Sequence, residues 1–228
     1  MDAQRTLGWY RARLGQITGS KVSVLMKAGR AKDETFSREG ITYMYQLAAE
    51  RTMNPDIIAS DELFADYLEQ VEATSKAMRF GTLMEGSARR LYGALTGRRM
   101  VETGSVRHPS LPYFASSPDG FFYDEETGER GCLEIKVPGQ AEFTRYVHEV
   151  GDAAGLLEVK PEYYYQCVAH MMCAGAAWTD FVAYNPFQAE PIHVARIDAD
   201  QAVFSQVAER VTLANAFIAS LVSGHQPP

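Results

Sequence analysis

SSPDGFFYDEETGERGCLEIKVP, residues 116–138, is the stretch from which the fold is read. Its end, Leu133-Glu134-Ile135-Lys136-Val137, alternates apolar and charged residues with period two. A strand here turns Leu133, Ile135 and Val137 to one face and Glu134 and Lys136 to the other. Upstream, Glu126-Thr127-Gly128-Glu129 supplies a turn between aromatic and apolar flanks, which predicts a hairpin. Asp119, near the start of the first strand of that hairpin, then comes close to Glu134 and Lys136 on the second.

Two carboxylates and an ammonium at one spot have a chemical use. Hard divalent cations such as magnesium take carboxylate oxygens, and a bound metal polarises a phosphoryl oxygen and supplies hydroxide near neutral pH. A lysine beside that water can orient the attacking hydroxide and offset phosphate charge. The same letters also read as a plain Ser-Pro-Asp-Gly turn followed by a solvated strand face, and the local pattern leaves both readings open.

More specific is the company this stretch keeps. Trp9-Tyr10-Arg11-Ala12-Arg13-Leu14-Gly15-Gln16-Ile17-Thr18-Gly19-Ser20 precedes it, then Phe80-Gly81 with Glu85, and Gln166 follows on a later helix. In this order and spacing the chain resembles the family of phage lambda exonuclease and its viral recombinase (YqaJ-like) relatives, within the PD-(D/E)xK nuclease superfamily. The resemblance spans 9–166 and implies an α/β fold with a central mixed β-sheet flanked by α-helices, as one nuclease domain over 1–228. It implies a magnesium-dependent 5′-to-3′ exonuclease that degrades one strand of double-stranded DNA to mononucleotides and leaves a 3′ single strand for recombination by annealing.

The same resemblance gives residues their roles. Glu85, Asp119 and Glu134, with the Ile135 carbonyl, are implied to hold one or two magnesium ions, or manganese in their place. Lys136 helps activate the water, and Gln166 holds a phosphate oxygen or the nucleophile. Arg13 and Ser20 match residues that hold a terminal 5′-phosphate, and Met78 falls at an apolar wedge that parts the duplex end. A trimeric ring around DNA and a single-strand annealing protein as partner are implied as well. In one place the chain departs from the family: an aspartate expected ahead of Ser-Pro-Asp-Gly is absent from VRHPSLPYF, which offers His108 instead, as a loop residue or a water relay. An endonuclease using the same site, and a non-catalytic DNA-end-binding scaffold, are the alternatives.

Composition sets the frame. With 228 residues, 46% hydrophobic and 22% charged, the chain is long enough for a sizeable core. No apolar run has the length of a membrane span or the placing of a signal segment, so a cytoplasmic location is expected. Cys132, Cys167 and Cys173, an odd number without secretory context, are expected to be reduced thiols. Cys167, His170 and Cys173 stand in a near line on a helix, which suits core packing better than zinc.

The net charge of −7 argues against a DNA-binding protein, but its distribution argues for one. Residues 1–32 carry seven basic side chains against Asp2, or +6, whereas the remainder carries 15 basic and 28 acidic, or −13. A basic segment on an acidic body suits a concentrated phosphate-binding surface, and equally describes a helix with a solvated basic face. Within it, Thr18 or Ser20 is placed to cap a helix over 21–27, whose start would bind phosphate together with Arg13. Trp9 is expected to be a core anchor.

Apolar periodicity predicts further helices over 38–52, 62–71, 76–95, from Pro161 onward and over 200–222, with a short amphipathic segment over 143–150. Strands are predicted over 100–106, 113–116, 178–184 and 191–197, and a loop over 151–160. Asn54-Pro55 and Thr74-Ser75 are local punctuation. Gly81, inside a helix where glycine is unfavourable, suggests close approach by a ligand or a neighbouring backbone.

Overall fold

The computed structural model describes residues 3–31, 34–72 and 75–224. Asp2, Lys32, Asp33 and Thr74, which enter the charge count and the connections above, lie outside them.

The expected mixed sheet flanked by helices is present, and among the described residues its strands form two adjoining ladders. The larger has the order β4 (Gly120–Tyr123), β5 (Arg130–Lys136), β6 (Trp178–Tyr184) and β7 (Ile192–Asp198). In it β5 and β6 run parallel, and the flanking pairs antiparallel. The smaller joins β1 (Ile17–Thr18), β3 (Phe114–Ser116) and β2 (Val106–Arg107) in that order. The chain crosses between the sheets through Ser117-Pro118-Asp119. Pro118 has no N–H to give a ladder, so pairing breaks there. It resumes as the Asp119 N–H donates to the Leu133 carbonyl at 2.9 Å, which opens the hairpin.

The hairpin turn is fixed by its own side chain. Asp124 Oδ1 accepts from the N–H groups of Glu126 and Thr127 at 3.0 and 2.9 Å. Gly128, at φ +70°, takes the left-handed position that follows.

Period two sorts the two strands of the parallel pair as expected. Leu133 and Ile135 of β5, with Trp178 and Val182 of β6, face helix α5 (Lys76–Thr96) and pack on Ala88 and Tyr92. The opposite face, including Cys132, Phe181 and Ala183, joins the main core with helix α8 (Pro161–Ala174) and helix α9 (Gln201–Val222). Asp180 falls on the α5 side, where its buried carboxylate meets the Tyr92 hydroxyl and Arg98.

Around the sheets lie α1 (Leu7–Arg13), α2 (Arg38–Arg51), α3 (Pro55–Ala59), α4 (Asp61–Val71), α6 (Gln140–Glu149) and α7 (Ala153–Val159). Ser37, Ser60, Ser75 and Asp200 cap α2, α4, α5 and α9 by accepting backbone N–H bonds, and Gly97 at φ +69° ends α5. Among the described residues, no helix is long and apolar enough to cross a membrane.

Three expectations are corrected. The segment after Ser20 is a single 3₁₀ turn, Val22–Leu25, entered through Lys21 without a side-chain cap. Thr18 belongs to β1, so neither it nor Ser20 caps a helix, and no helix start presents free N–H groups there. Residues 151–160 are not a loop but carry α7, because Asp152 accepts from the Gly155 N–H and caps it. A Cβ on Gly81 would meet nothing within 4 Å, so of the two approaches expected there, that by a neighbouring backbone is ruled out. Cys132, Cys167 and Cys173 are buried free thiols, as expected.

Candidate active site

The site grows from a coincidence of two repeats. Two residues along a strand advance about 6.6 Å, and four along a helix about 6 Å. Glu134 and Lys136 on β5 therefore match His170 and Gln166 on α8, which runs antiparallel to the strand across the same face. Lys136 Nζ donates to Gln166 Oε1 at 3.2 Å, and His170 Nε2 lies 2.5 Å from Glu134 Oε2. Lys136 closes the group with an ion pair to Glu134 Oε1 at 2.6 Å, and its ammonium sits 4.5 Å from the centre of the Tyr163 ring, one turn before Gln166.

Asp119 completes this side. Its Oδ2 accepts from the Ile135 N–H at 2.7 Å across the hairpin, and only 9% of the residue is exposed. Glu134 is 2% exposed. The strand face is charged, as predicted, but it is buried under α8 and not solvated.

Glu85, on α5, reaches the group from the other side. Both of its oxygens accept from Arg5, at 2.5 and 3.1 Å. Arg5 itself is held in the left-handed region at φ 66°.

Electrostatics set these carboxylates apart. Burial pushes Asp119 well above the usual carboxylate range, and the neighbouring charges of Glu134 and Glu85 push it further. Glu134 goes the other way: burial raises it, but Lys136 and His170 together outweigh burial and bring it below the ordinary value. Lys136, in turn, is pushed upward, because the attraction of Glu134 overcomes the cost of burying the ammonium. Lys136 is a firm cation and a donor in this arrangement.

The carboxylates suit a hard divalent cation in type and charge. Asp119 stands beside two further carboxylates, and Glu134 uses two of its roughly four acceptor positions on Lys136 and His170. Among the described residues, no three His, Cys, Asp or Glu side chains stand together as a formed coordination shell. Glu85 is turned onto Arg5 and makes no contact with the other two carboxylates among the described hydrogen bonds and ion pairs.

Beside the carboxylates lies a cavity of about 650 Å³, lined by Arg5, Trp9, Arg13, Thr18, Ser20 and Met78 among others. The residues expected to hold a terminal phosphate and to part the duplex end thus share one space. Arg13 stacks over Trp9, its guanidinium 4.2 Å from the ring centre, and donates to Ser117 Oγ at 3.1 Å. Trp9 Nε1 donates to the same hydroxyl at 3.1 Å, while Gln4 holds the Pro118 carbonyl at 2.8 Å. Helix α1 is thereby clipped onto the turn that carries Asp119. Arg13 is hydrogen-bonded to a neutral hydroxyl, and burial pulls its pKa down against the opposing influence of Tyr43 and Glu72. Met78, 55% exposed, stands in the first turn of α5.

Other expectations separate. Trp9 is not a core anchor but a half-buried wall of this cavity. Within the basic segment, Arg5, Arg13 and Lys21 line the cavity, whereas Arg11 and Lys27 pair with Asp61 and Glu39. His108 lies in a different groove, its Nδ1 accepting from the N–H groups of Ser110 and Leu111, and its ring stacked on Phe114. It is a turn-stabilising residue and does not reach the carboxylates.

Arg5, His170 and Ser117 are contacts the sequence reading missed. For His170 a signal existed: it stands four residues after Gln166, and so shares its helix face.

A hairpin that sets Asp119 against a strand bearing Glu134 and Lys136, in mixed sheets flanked by helices, places the fold in the PD-(D/E)xK class of nucleases. A family model for the YqaJ-like viral recombinase domain matches residues 8–177, and the chain belongs to that family. Among solved structures, the alkaline exonuclease LHK-Exo of Laribacter hongkongensis is similar, with 28% identity and a TM-score of 0.74 over 96% of this chain and 95% of that one. The same enzyme in complex with dAMP gives 28% identity and 0.75 over the same shares. A phage-related exonuclease of Haemophilus somnus 129PT, at 14% identity and a TM-score of 0.64 over 92% and 96%, shares the fold. No curated protein matches the chain.

Proposed function

We propose that the chain is a magnesium-dependent 5′-to-3′ exonuclease on double-stranded DNA, releasing mononucleotides and leaving a 3′ single strand for annealing-type recombination. The observation that carries this reading is the cavity that Arg13, Thr18 and Ser20 share, tied by the hydrogen bond from Arg13 to Ser117 to the turn that carries Asp119. A relative that binds dAMP, a deoxynucleoside monophosphate, supports the class of product.

In this reading Asp119, Glu134 and Glu85, with the Ile135 carbonyl, hold one or two magnesium ions, with manganese able to substitute. Bound there, the metal supplies hydroxide near neutral pH and offsets phosphoryl charge. Lys136, fixed as a cation between Glu134 and Gln166, orients the attacking water and neutralises charge that develops on the phosphate. Gln166 offers an amide that contacts a phosphate oxygen without competing for the metal. Arg13 and Ser20, with Thr18, hold the 5′-phosphate, Met78 wedges the duplex end, and Arg5 releases Glu85 as the site fills. Three chains closing around the duplex and a single-strand annealing protein as partner complete the proposal. Sedimentation at several concentrations tests the ring, and a monomer throughout refutes it.

Polarity is tested with linear duplexes carrying a label at either end of one strand. Early release of the 5′ label as mononucleotide, with late release of the 3′ label and an intact closed circle, is the expected result. Prompt loss of the 3′ label would overturn the polarity, a cut circle would indicate an endonuclease, and end binding without hydrolysis would indicate a scaffold.

Replacing Arg13 by alanine removes the guanidinium from the phosphate cavity. A hydrogen bond to a charged group contributes about 1.5–3 kcal/mol, so the preference for 5′-phosphorylated over 5′-hydroxyl ends should fall by roughly 10- to 100-fold. Initial rates on the two substrates, for native protein and Arg13→Ala, give that ratio directly.

A further inference from the structure

Glu134 is gripped on both oxygens, and the grip on Oε2 belongs to no part of the machinery described so far. His170 Nε2 lies 2.5 Å from it, and the ring is 1% exposed. An ionised carboxylate only accepts, so Nε2 carries the hydrogen of that bond. The other ring nitrogen, Nδ1, lies 2.7 Å from Ser116 Oγ, again fully buried. The imidazole therefore has one orientation, pinned at both nitrogens between the smaller sheet and β5.

Gly19 stands directly behind this pair. A Cβ at position 19 would overlap the Ser116 hydroxyl, and the Gly19 N–H donates to the Ala115 carbonyl at 3.0 Å. Glycine is needed at that position for Ser116 to stay on His170. Thr18 and Ser20, on either side of it, line the phosphate cavity.

The consequence for Glu134 is steric and electrostatic together. Lys136 Nζ is 2.6 Å from Oε1, and without a competing donor the carboxylate is free to turn both oxygens onto the ammonium. His170 holds Oε2 away from Lys136 and so keeps the remaining acceptor positions of Glu134 in one orientation.

We propose that Ser116 and His170 form a positioning pair that sets the orientation of the Glu134 carboxylate for a divalent cation, so that residue 170 governs metal affinity without touching the metal. This rests on Glu134 being a metal ligand, as proposed above.

The test is calorimetric titration of magnesium, and of manganese, into the full chain without DNA, for native protein, His170→Phe, His170→Gln, Ser116→Ala and Glu134→Gln. His170→Phe keeps a ring and removes both nitrogens, whereas His170→Gln keeps a donor for Glu134. Outer partners of metal ligands typically govern affinity by about 10- to 100-fold, and His170→Phe should weaken binding by that order while His170→Gln restores most of it. Ser116→Ala should weaken binding in the same direction by less. In turnover at fixed magnesium, kcat should fall with KM for DNA unchanged. A folded His170→Phe that binds metal like the native protein overturns the proposal. Should that variant not fold, native affinity in Ser116→Ala overturns it instead. If native protein binds no cation, or Glu134→Gln binds as well as native, the assignment of Glu134 itself is wrong. Loss of binding in Glu134→Gln beside native binding in His170→Phe removes the positioning role alone.

Discussion

Replacing Lys136 by alanine is expected to lower the rate of nucleotide release by about 10²- to 10⁴-fold, the range lost with a positioned proton-transfer or charge-stabilising group. That corresponds to roughly 3–5 kcal/mol of transition-state stabilisation. The ammonium is held by Glu134 at 2.6 Å and by Gln166 at 3.2 Å, with Tyr163 below it, so its position is set before substrate arrives. Because Glu134 keeps it protonated, its contribution is donation and charge, and a neutral residue of similar length, as in Lys136→Met, should fail as completely as alanine. The fold should be kept but destabilised, since Glu134 retains only His170 as a donor, while the hairpin bond from Ile135 to Asp119 does not involve the lysine. Single-turnover rates, with duplex binding measured in parallel, separate the two effects. Near-native turnover in Lys136→Ala would remove the lysine from the mechanism.

A second large effect is expected far from chemistry. Asp180 lies on the α5 face of β6 with 4% of its side chain exposed, paired with Arg98 at 2.5 Å and with the Tyr92 hydroxyl. The Arg98 guanidinium also covers Phe122 and Trp178, at 4.7 and 5.6 Å from the ring centres. Arg98→Met keeps much of the packing but leaves a buried carboxylate with a single donor. Breaking a buried pair in this way costs about 3–5 kcal/mol. For a chain of this size the melting temperature should drop on the order of 10 °C. The deficit should depend on pH with a definite sign. Burial raises Asp180 above 3.8 even with both donors present, and losing Arg98 raises it further. A carboxyl raised in the folded state contributes stability that is complete below its unfolded pKa and lost as pH climbs through the folded one. The gap between variant and native protein should therefore open as pH rises from 3.8 and narrow as pH is lowered toward it. Denaturant midpoints across that window measure it, and a deficit independent of pH would mean that packing alone was lost.

The parts of this architecture that were legible in the sequence are those written by local periodicity. Alternation in Leu133-Glu134-Ile135-Lys136 gave the faces of β5, and Thr127-Gly128 gave the hairpin turn. Pro161 opened α8, and the apolar periodicity over 200–222 gave α9. What was not legible depends on partners distant in sequence. Pro118 marks the break between the two sheets, but that pairing resumes at once from Asp119 to Leu133 is set by a residue 14 positions away. The helix expected after Ser20 shrinks to one 3₁₀ turn because Val22, Val24 and Leu25 are all drawn into the main core, which overrides a period of 3.6. Trp9 looked like a core residue by size alone, and its place is decided by Arg13 and Ser117.

The candidate site divides in the same way. Asp119, Glu134 and Lys136 are set by one hairpin, and sequence sufficed to bring them together. Gln166 came from the resemblance, and its contact with Lys136 came from the register of α8 on β5. Arg5 on Glu85 and His170 on Glu134 are tertiary pairings between residues 80 and 36 positions apart. Each side chain alone reads as an ordinary surface arginine or core histidine. Only the buried, mutually repelling carboxylates at the junction give those partners a reason to be there.

Acid-soluble nucleotide released from a linear, 5′-phosphorylated duplex in magnesium, by native protein and by Asp119→Asn, is the most direct measure of whether these carboxylates hold a catalytic cation. Asparagine keeps an acceptor for the Ile135 N–H and removes the charge, so the hairpin stays closed while the cation site is lost. Steady mononucleotide release by the native protein, stopped by a chelator and absent from Asp119→Asn, is the expected result. Release at the native rate from a folded Asp119→Asn, or none from the native protein, would contradict it.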